Sequence, residues 1–202
     1  MKKTLLMLVT FGMLADIATA QELTATQAAV EIKNVKAQMM KTPEYQGTTS
    51  DSKKDPKRRE WFEIEIEIET KSDSKIGMID NLVFKYYLAV KGAEKVNYIL
   101  TENITYENIP DDEQIYTVVY VSPWSLARMA GGLDEFTERD VVAIGCEVLF
   151  NGERKGLYSS TNTEFWNSGG SFVRKQGMIL PKEKSPFQFL WIDRHLGARL
   201  DR

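Results

Sequence analysis

Two residue types that enzymes and secreted scaffolds rely on are almost missing from this 202-residue sequence. It holds one cysteine, Cys146, and one histidine, His195. A lone cysteine cannot close an internal disulfide, so the fold must hold through packing. A lone histidine cannot supply a multi-histidine metal site, and nothing of the serine-hydrolase type precedes it. Positive charge is not in excess either: 26 basic against 29 acidic side chains leave a net of −3, which argues against a nucleic-acid partner. Only one long apolar run is present, LLMLVTFGMLA at 5–15, and it is too short to cross a bilayer as a helix.

That run has the flanks of a secretion signal. Lys2 and Lys3 precede it, and Ala18-Thr19-Ala20 makes a small-residue cleavage site before Gln21. The expectation is therefore a signal peptide over 1–20 and an exported chain in the periplasm, outer membrane or cell surface. Cys146 lies far from the signal, so it is not the acylated cysteine of a lipoprotein. A major pilin is also excluded: Gly12 is followed by Met-Leu-Ala-Asp, and the chain turns polar by Gln21, leaving no assembly helix. Without 1–20 the charge is −4, on 24 basic and 28 acidic side chains.

What remains is rich in strand patterning. In EWFEIEIEIET at 60–70, Phe62, Ile64, Ile66 and Ile68 share one face, while Trp61, Glu63, Glu65, Glu67 and Glu69 share the other. Strict alternation of this kind predicts a strand with one face in a core and one in water. Segments 82–91, 95–106, 114–121 and 141–150 are rich in β-branched and aromatic residues and predict further strands. Cys146 falls in the last of these, as a small buried apolar residue. Asn151-Gly152 signals a hairpin returning into 156–166. Segment 187–193 is apolar on both faces, as for a central strand or one covered by a partner. Segment 28–40 is also extended, with a change of parity near Lys33-Asn34 that implies a bulge.

Residues 43–59 read as a long, flexible, polar loop with a solvated basic cluster. One short helix is legible, with Ser122 as N-cap, Pro123 in the first turn and Gly131-Gly132 as the stop. These elements predict a single all-β domain over 21–202, an immunoglobulin-like β-sandwich with one short helix. A jelly roll is the rival architecture.

The glutamate ladder is the one constellation with catalytic spacing. Same-face neighbours on a strand lie about 6.7 Å apart, near the separation of acid and base in inverting glycosidases. Glu63-Ile64-Glu65-Ile66-Glu67 resembles the Glu-x-Asp-x-Glu signature of laminarinase-like jelly-roll glucanases, but Glu65 stands where that family has aspartate. The plainer reading is a solvated ladder paired across strands with lysines, Lys33, Lys36, Lys85 and Lys91 being the candidates. His195, in the terminal RHLGARLDR, reads as a surface residue. Asp111-Asp112-Glu113 lacks the spacing of a calcium loop and reads as a turn. No catalytic residue, metal or cofactor is expected. Trp61, on the polar side of its strand beside Glu63, Glu65, Glu67 and Glu69, marks the candidate interaction surface, for a protein or for a sugar stacked on its ring.

The C-terminal stretch FWNSGGSFVRKQGMILPKEKSPFQFLWIDRH, taken with the signal and the acidic strand-rich domain, resembles the Ig-like, pilus-associated proteins of mucin-degrading gut Verrucomicrobia. Those are encoded beside outer-membrane and type IV pilus-like components. The resemblance implies an Ig-like fold, an envelope or surface location, and a part in pilus formation or host contact rather than turnover. It carries over no site residue. The sequence thus points to a non-enzymatic exported protein working by contacts with envelope or pilus proteins in surface assembly, host contact and cell adhesion, with mucin-glycan binding as the alternative. A homo-oligomer formed by exchange of the N-terminal strand 28–40 is a further expectation.

Overall fold

The structure, a computed structural model, describes residues 25, 27–44, 58–161, 163–168 and 172–200. The signal at 1–20 and most of the loop at 43–59 lie outside the described residues. Among the described residues nine strands follow in chain order: β1 (Ala28–Lys41), β2 (Glu60–Ser72), β3 (Met78–Lys91), β4 (Asn97–Pro110), β5 (Gln114–Val121), β6 (Val141–Phe150), β7 (Glu153–Ser159), β8 (Phe172–Gln176) and β9 (Ile179–Pro181). They form two sheets, ordered β1-β2-β5-β9 and β7-β6-β3-β4-β8. The two sheets make an immunoglobulin-like sandwich rather than a jelly roll. Strand pairs are antiparallel except β4–β8, which runs parallel.

The inner faces follow from period-two patterning. Phe62, Ile64, Ile66 and Ile68 of β2 meet Leu82, Phe84, Tyr86 and Leu88 of β3, with Cys146 and Val148 of β6, in one core. The bulge in β1 falls between Ile32 and Asn34. It restores Val35, Ala37 and Met39 to the core side after Val30 and Ile32. Three hydroxyls meet inside this core and satisfy one another: Tyr86 donates its hydroxyl hydrogen to Thr117 at 3.0 Å and lies 3.1 Å from the Tyr106 hydroxyl. Cys146 is fully buried, and desolvation pushes its thiol far up, so it packs as a small apolar side chain.

Local signals hold where backbone chemistry dictates them. Helix α1 (Pro123–Ala130) carries Ser122 as N-cap, accepting from the Ser125 amide, and ends at Gly131 with φ of 90°. The β6–β7 hairpin turns through Asn151 and Gly152, both at positive φ, as a primed turn requires. Asp111-Asp112-Glu113 is a turn, with Asp111 accepting from the Ser72 amide and hydroxyl.

Two expectations are corrected, and two strands are added. The return strand from the hairpin is Glu153–Ser159 rather than 156–166, because the chain leaves the sheet after Ser159 and folds a 3-10 turn, Phe165–Asn167, back over it. Segment 187–193 is no strand. It is a run of turns lying across the outside of the first sheet, which explains apolar residues on both of its faces. The short strands β8 and β9 were hidden because each is too brief for a period to show.

Candidate interaction site on the outer face of the first sheet

The outer face of β2 and β5 was expected in water, yet residues after β9 cross it as a latch. Phe187 stacks on Tyr120, with centroids 4.4 Å apart, and meets Trp61 edge-on at 5.9 Å. Val118, Met40 and Leu190 complete this small cluster. Further on, His195 bridges to Tyr116 of β5, and the Leu196 amide donates to the Tyr116 carbonyl at 2.9 Å. The latch then reaches the other sheet: Ala198 bridges to Tyr106, and the Arg199 amide donates to the Thr105 carbonyl at 2.8 Å. Residues 182–200 therefore fasten both sheets along one side.

Coverage changes the fate of each ladder residue. Trp61 is half-buried against Phe187, not an exposed ring. Glu63 is only 7% exposed, accepting from the Tyr120 hydroxyl at 2.8 Å and the Gln38 amide nitrogen at 2.8 Å. Burial first, then the charge and hydrogen bond of Glu63, hold Tyr120 far above its ordinary value, so it stays a donor. Glu67 accepts from Gln114 across the β2–β5 pair. Glu69 pairs with Lys33 at 2.9 Å, and this bond holds its carboxyl below the usual range. Of the other lysines, Lys36 stands opposite Glu65 in the register, whereas Lys85 and Lys91 lie on β3 in the second sheet. The ladder is thus a set of carboxylates with assigned partners rather than a solvated row.

Glu65 holds the centre. Arg194 reaches it with two nitrogens, Nε at 3.2 Å and a terminal nitrogen at 3.0 Å, while its guanidinium lies 3.7 Å over the Tyr116 ring. His195 Nε2 sits 2.7 Å from the second Glu65 oxygen. Burial alone would raise the Glu65 carboxyl, but the bonds from Arg194 and His195 outweigh it and hold it below the ordinary range. Burial pushes the His195 ring down. The Glu65 bond opposes that, and the Lys182 charge adds to it. The pair is therefore a carboxylate accepting from a neutral imidazole. His195 is 7% exposed, which corrects its reading as a surface residue; sequence placed it in a tail, and only the crossing of the tail over Tyr116 buries it.

The side of the latch away from the sheet is apolar. Phe189, Trp191 and Ile192 are 65%, 66% and 61% exposed. Together with Asp193 and Arg194 they line a shallow hollow of about 470 Å³. Trp191 takes a left-handed backbone, φ 53°, and its carbonyl accepts from the Arg194 and His195 amides, so the crest is presented by a bonded turn. A second exposed tryptophan, Trp124 on α1, stacks under Arg59 at 4.7 Å. Sequence reasoning assigned the exposed ring to Trp61 and missed Trp191. The usable signal was the doubled apolarity of 187–193, one side for the sheet and one for solvent. Among the described residues no group of three or more His, Cys, Asp or Glu side chains could hold a metal ion, and no helix is long and apolar enough to cross a membrane.

Comparison with known proteins agrees with the sandwich. A protein-family model matches residues 21–200. A crystal structure of a protein from Akkermansia muciniphila superposes with a TM-score of 0.79 at 28% identity, covering 87% of this chain and 95% of that one. No curated protein matches the sequence.

Proposed function

We propose that this chain, which belongs to the family whose model spans residues 21–200, is an exported, non-enzymatic β-sandwich acting through protein contacts in an envelope or pilus assembly. The observation that carries the reading is the crest of Phe189, Trp191 and Ile192. Contiguous exposed apolar residues held on an ordered turn are what contact sites are made of. Two further points support it. The ladder carboxylates Glu63, Glu65, Glu67 and Glu69 are each bonded to a neighbouring side chain, which supports a structural part for the ladder. Export rests on the signal-like pattern of 1–20, and the pilus context on the family resemblance. The test is a native pull-down from envelope extracts, with wild type and Trp191→Ala. The expected result is recovery of an envelope or pilus component by the wild type and its loss with the variant. Recovery of none, with the protein found in the cytoplasm, overturns the reading.

A second reading, glycan binding, is favoured by the exposed Trp191 ring with the Asp193 carboxylate beside it in the same hollow. Its ring is not Trp61, which packs on Phe187. A mucin-glycan array separates the cases: binding lost in Trp191→Ala and kept in Trp61→Phe supports a sugar platform, and no binding by the wild type removes it. Self-association through β1 is a third element of the proposal. Strand addition at the β1 edge is hindered by the Lys33 bulge and by Glu138, which accepts from the Met39 amide at 3.0 Å, so exchange of the whole strand is the route. Light scattering over a wide concentration range decides it, and a monomer throughout rejects it.

A further inference from the structure

The buried end of the latch contains an unmet polar atom at its most sensitive place. His195 presents Nε2 to Glu65, but its Nδ1 is buried without a hydrogen-bond partner. The groups around it come from every element packed there. Glu65 and, beyond it, Glu67 come from β2, and Tyr116 from β5. Lys182 belongs to the turn after β9, where Glu183 accepts from the Ala198 amide at 3.0 Å, and Arg194 belongs to the latch itself. Glu65 is the one acidic group bonded to the ring, and it already accepts twice from Arg194.

A proton added to His195 enters at Nδ1. The resulting N–H is a buried donor with no acceptor among the bonds now made, and the new charge joins the Arg194 and Lys182 cations, with Glu65 the one carboxylate bonded to the ring while Glu67 acts on Arg194 and Glu183 on Lys182. An unpaired buried donor is costly, and a buried charge that is incompletely paired more so. In a detached latch the ring is solvated and takes the proton freely. Protonation therefore favours the detached state. Glu65 acts in the same direction at lower pH, because its protonation removes the acceptor that both Arg194 and His195 use.

We infer that residues 182–200 form an acid-released latch, in which proton uptake by His195, reinforced at lower pH by Glu65, undocks the segment from the outer face of β2 and β5. Release uncovers Trp61, Val118 and Tyr120, the surface on which Phe187 rests, and dissolves the bonded turn that presents Trp191. The device stands apart from the proposed envelope role, since it depends only on the intramolecular contacts.

The sole histidine makes the test direct. Amide exchange at Leu196 and Arg199, whose N–H groups bond to Tyr116 and Thr105, reports latch opening on the purified protein. After correction for intrinsic exchange chemistry, opening at these two amides is expected to rise about tenfold for each unit by which the docked ring is harder to protonate than the free one. The rise falls between pH 7 and 5, with β3 amides unchanged. His195→Gln, which can donate to Glu65 but cannot titrate, should flatten the response over that range. If this variant does not fold, nuclear magnetic resonance titration of the wild-type imidazole decides instead. Its midpoint must lie below 6.5 and track the opening. A flat wild-type response, a pH response that persists in His195→Gln, or a ring titrating at or above 6.5 overturns the inference.

Discussion

Each sheet of this sandwich has its outer face covered by a returning segment, and the two covers are built differently. On the second sheet, the 3-10 turn at Phe165–Asn167 lays Trp166 flat on Tyr87, with centroids 4.5 Å apart and planes 3° from parallel. The ring sits where Gly145 leaves room: a Cβ there would stand 2.2 Å from the indole. Charge lies at the rim, where Glu147 accepts from Tyr87 at 2.7 Å and from Arg154 at 3.0 Å, and Arg154 also bridges to Glu164. On the first sheet an aromatic contact is again present, Phe187 on Tyr120, and Glu65 again pairs with a half-exposed arginine, Arg194, but here the carboxylate also bonds the buried His195 ring. Both covers join shape to an arginine–carboxylate pair, and the first sheet's cover adds a buried titratable imidazole. Apolar contact and a half-exposed arginine pair respond little to mild acid, whereas a buried imidazole does, so the two faces should separate under acid.

The largest way to probe this contrast is to remove the anchoring rings. Phe187→Ala and Trp166→Ala are each expected to cost about 3 kcal/mol, the lower end for large aromatic truncations, in urea unfolding at neutral pH. Because the covers lie on opposite outer faces, the double variant should add to within about 0.5 kcal/mol; strong coupling would show that they share a unit. Next comes Gly145→Ala, which drives a methyl into the Trp166 ring and should cost about 1–3 kcal/mol, with loss of the Trp166 fluorescence environment and no change at the first sheet. Glu65→Gln leaves Arg194 without its carboxylate and is expected to cost about 1–2 kcal/mol, while raising protease access to the latch.

Smaller and more selective is the pH effect. Both His195 and Glu65 are depressed in the folded state from their ordinary 6.5 and 4.5. For both, the unfolded or detached chain binds the proton first as pH falls. Their contribution is complete above about pH 6.5, begins to fade below that as the free histidine charges, and loses a further share below pH 4.5 with Glu65. Thermal unfolding at pH 7.5 and 5.5 should show the loss in wild type and in Trp166→Ala, and much less of it in His195→Gln. The smallest effect belongs to the exposed Lys33–Glu69 pair, where Lys33→Ala should leave the urea unfolding midpoint essentially unchanged.

Much of the frame was legible because its causes are local. Alternation placed Ile64, Ile66 and Ile68 inside; the parity change located the bulge at Lys33; Ser122, Pro123 and Gly131 bounded α1; Asn151-Gly152 made the hairpin. What escaped depended on contacts distant in sequence. Glu63 and Glu65 alternate like solvent-facing residues, and nothing near them announces that a chain about 130 positions later will lie across them. Trp61 looked exposed for the same reason. His195 looked like a frayed tail because burial was supplied by Tyr116, not by its own neighbours. Period reading sees one strand at a time, and a cover made of irregular turns has no period to read.

The latch also follows every strand in chain order, and this has a consequence for how the molecule is made. Residues up to 181 contain both sheets, so a chain caught before residues 182–200 emerge from the ribosome can close the sandwich yet bear a bare aromatic strip at Trp61 and Tyr120. The final short stretch hides that strip. A stalled or clipped chain would keep it exposed and be distinguishable, by chaperones and proteases that bind sticky surfaces, from a finished one.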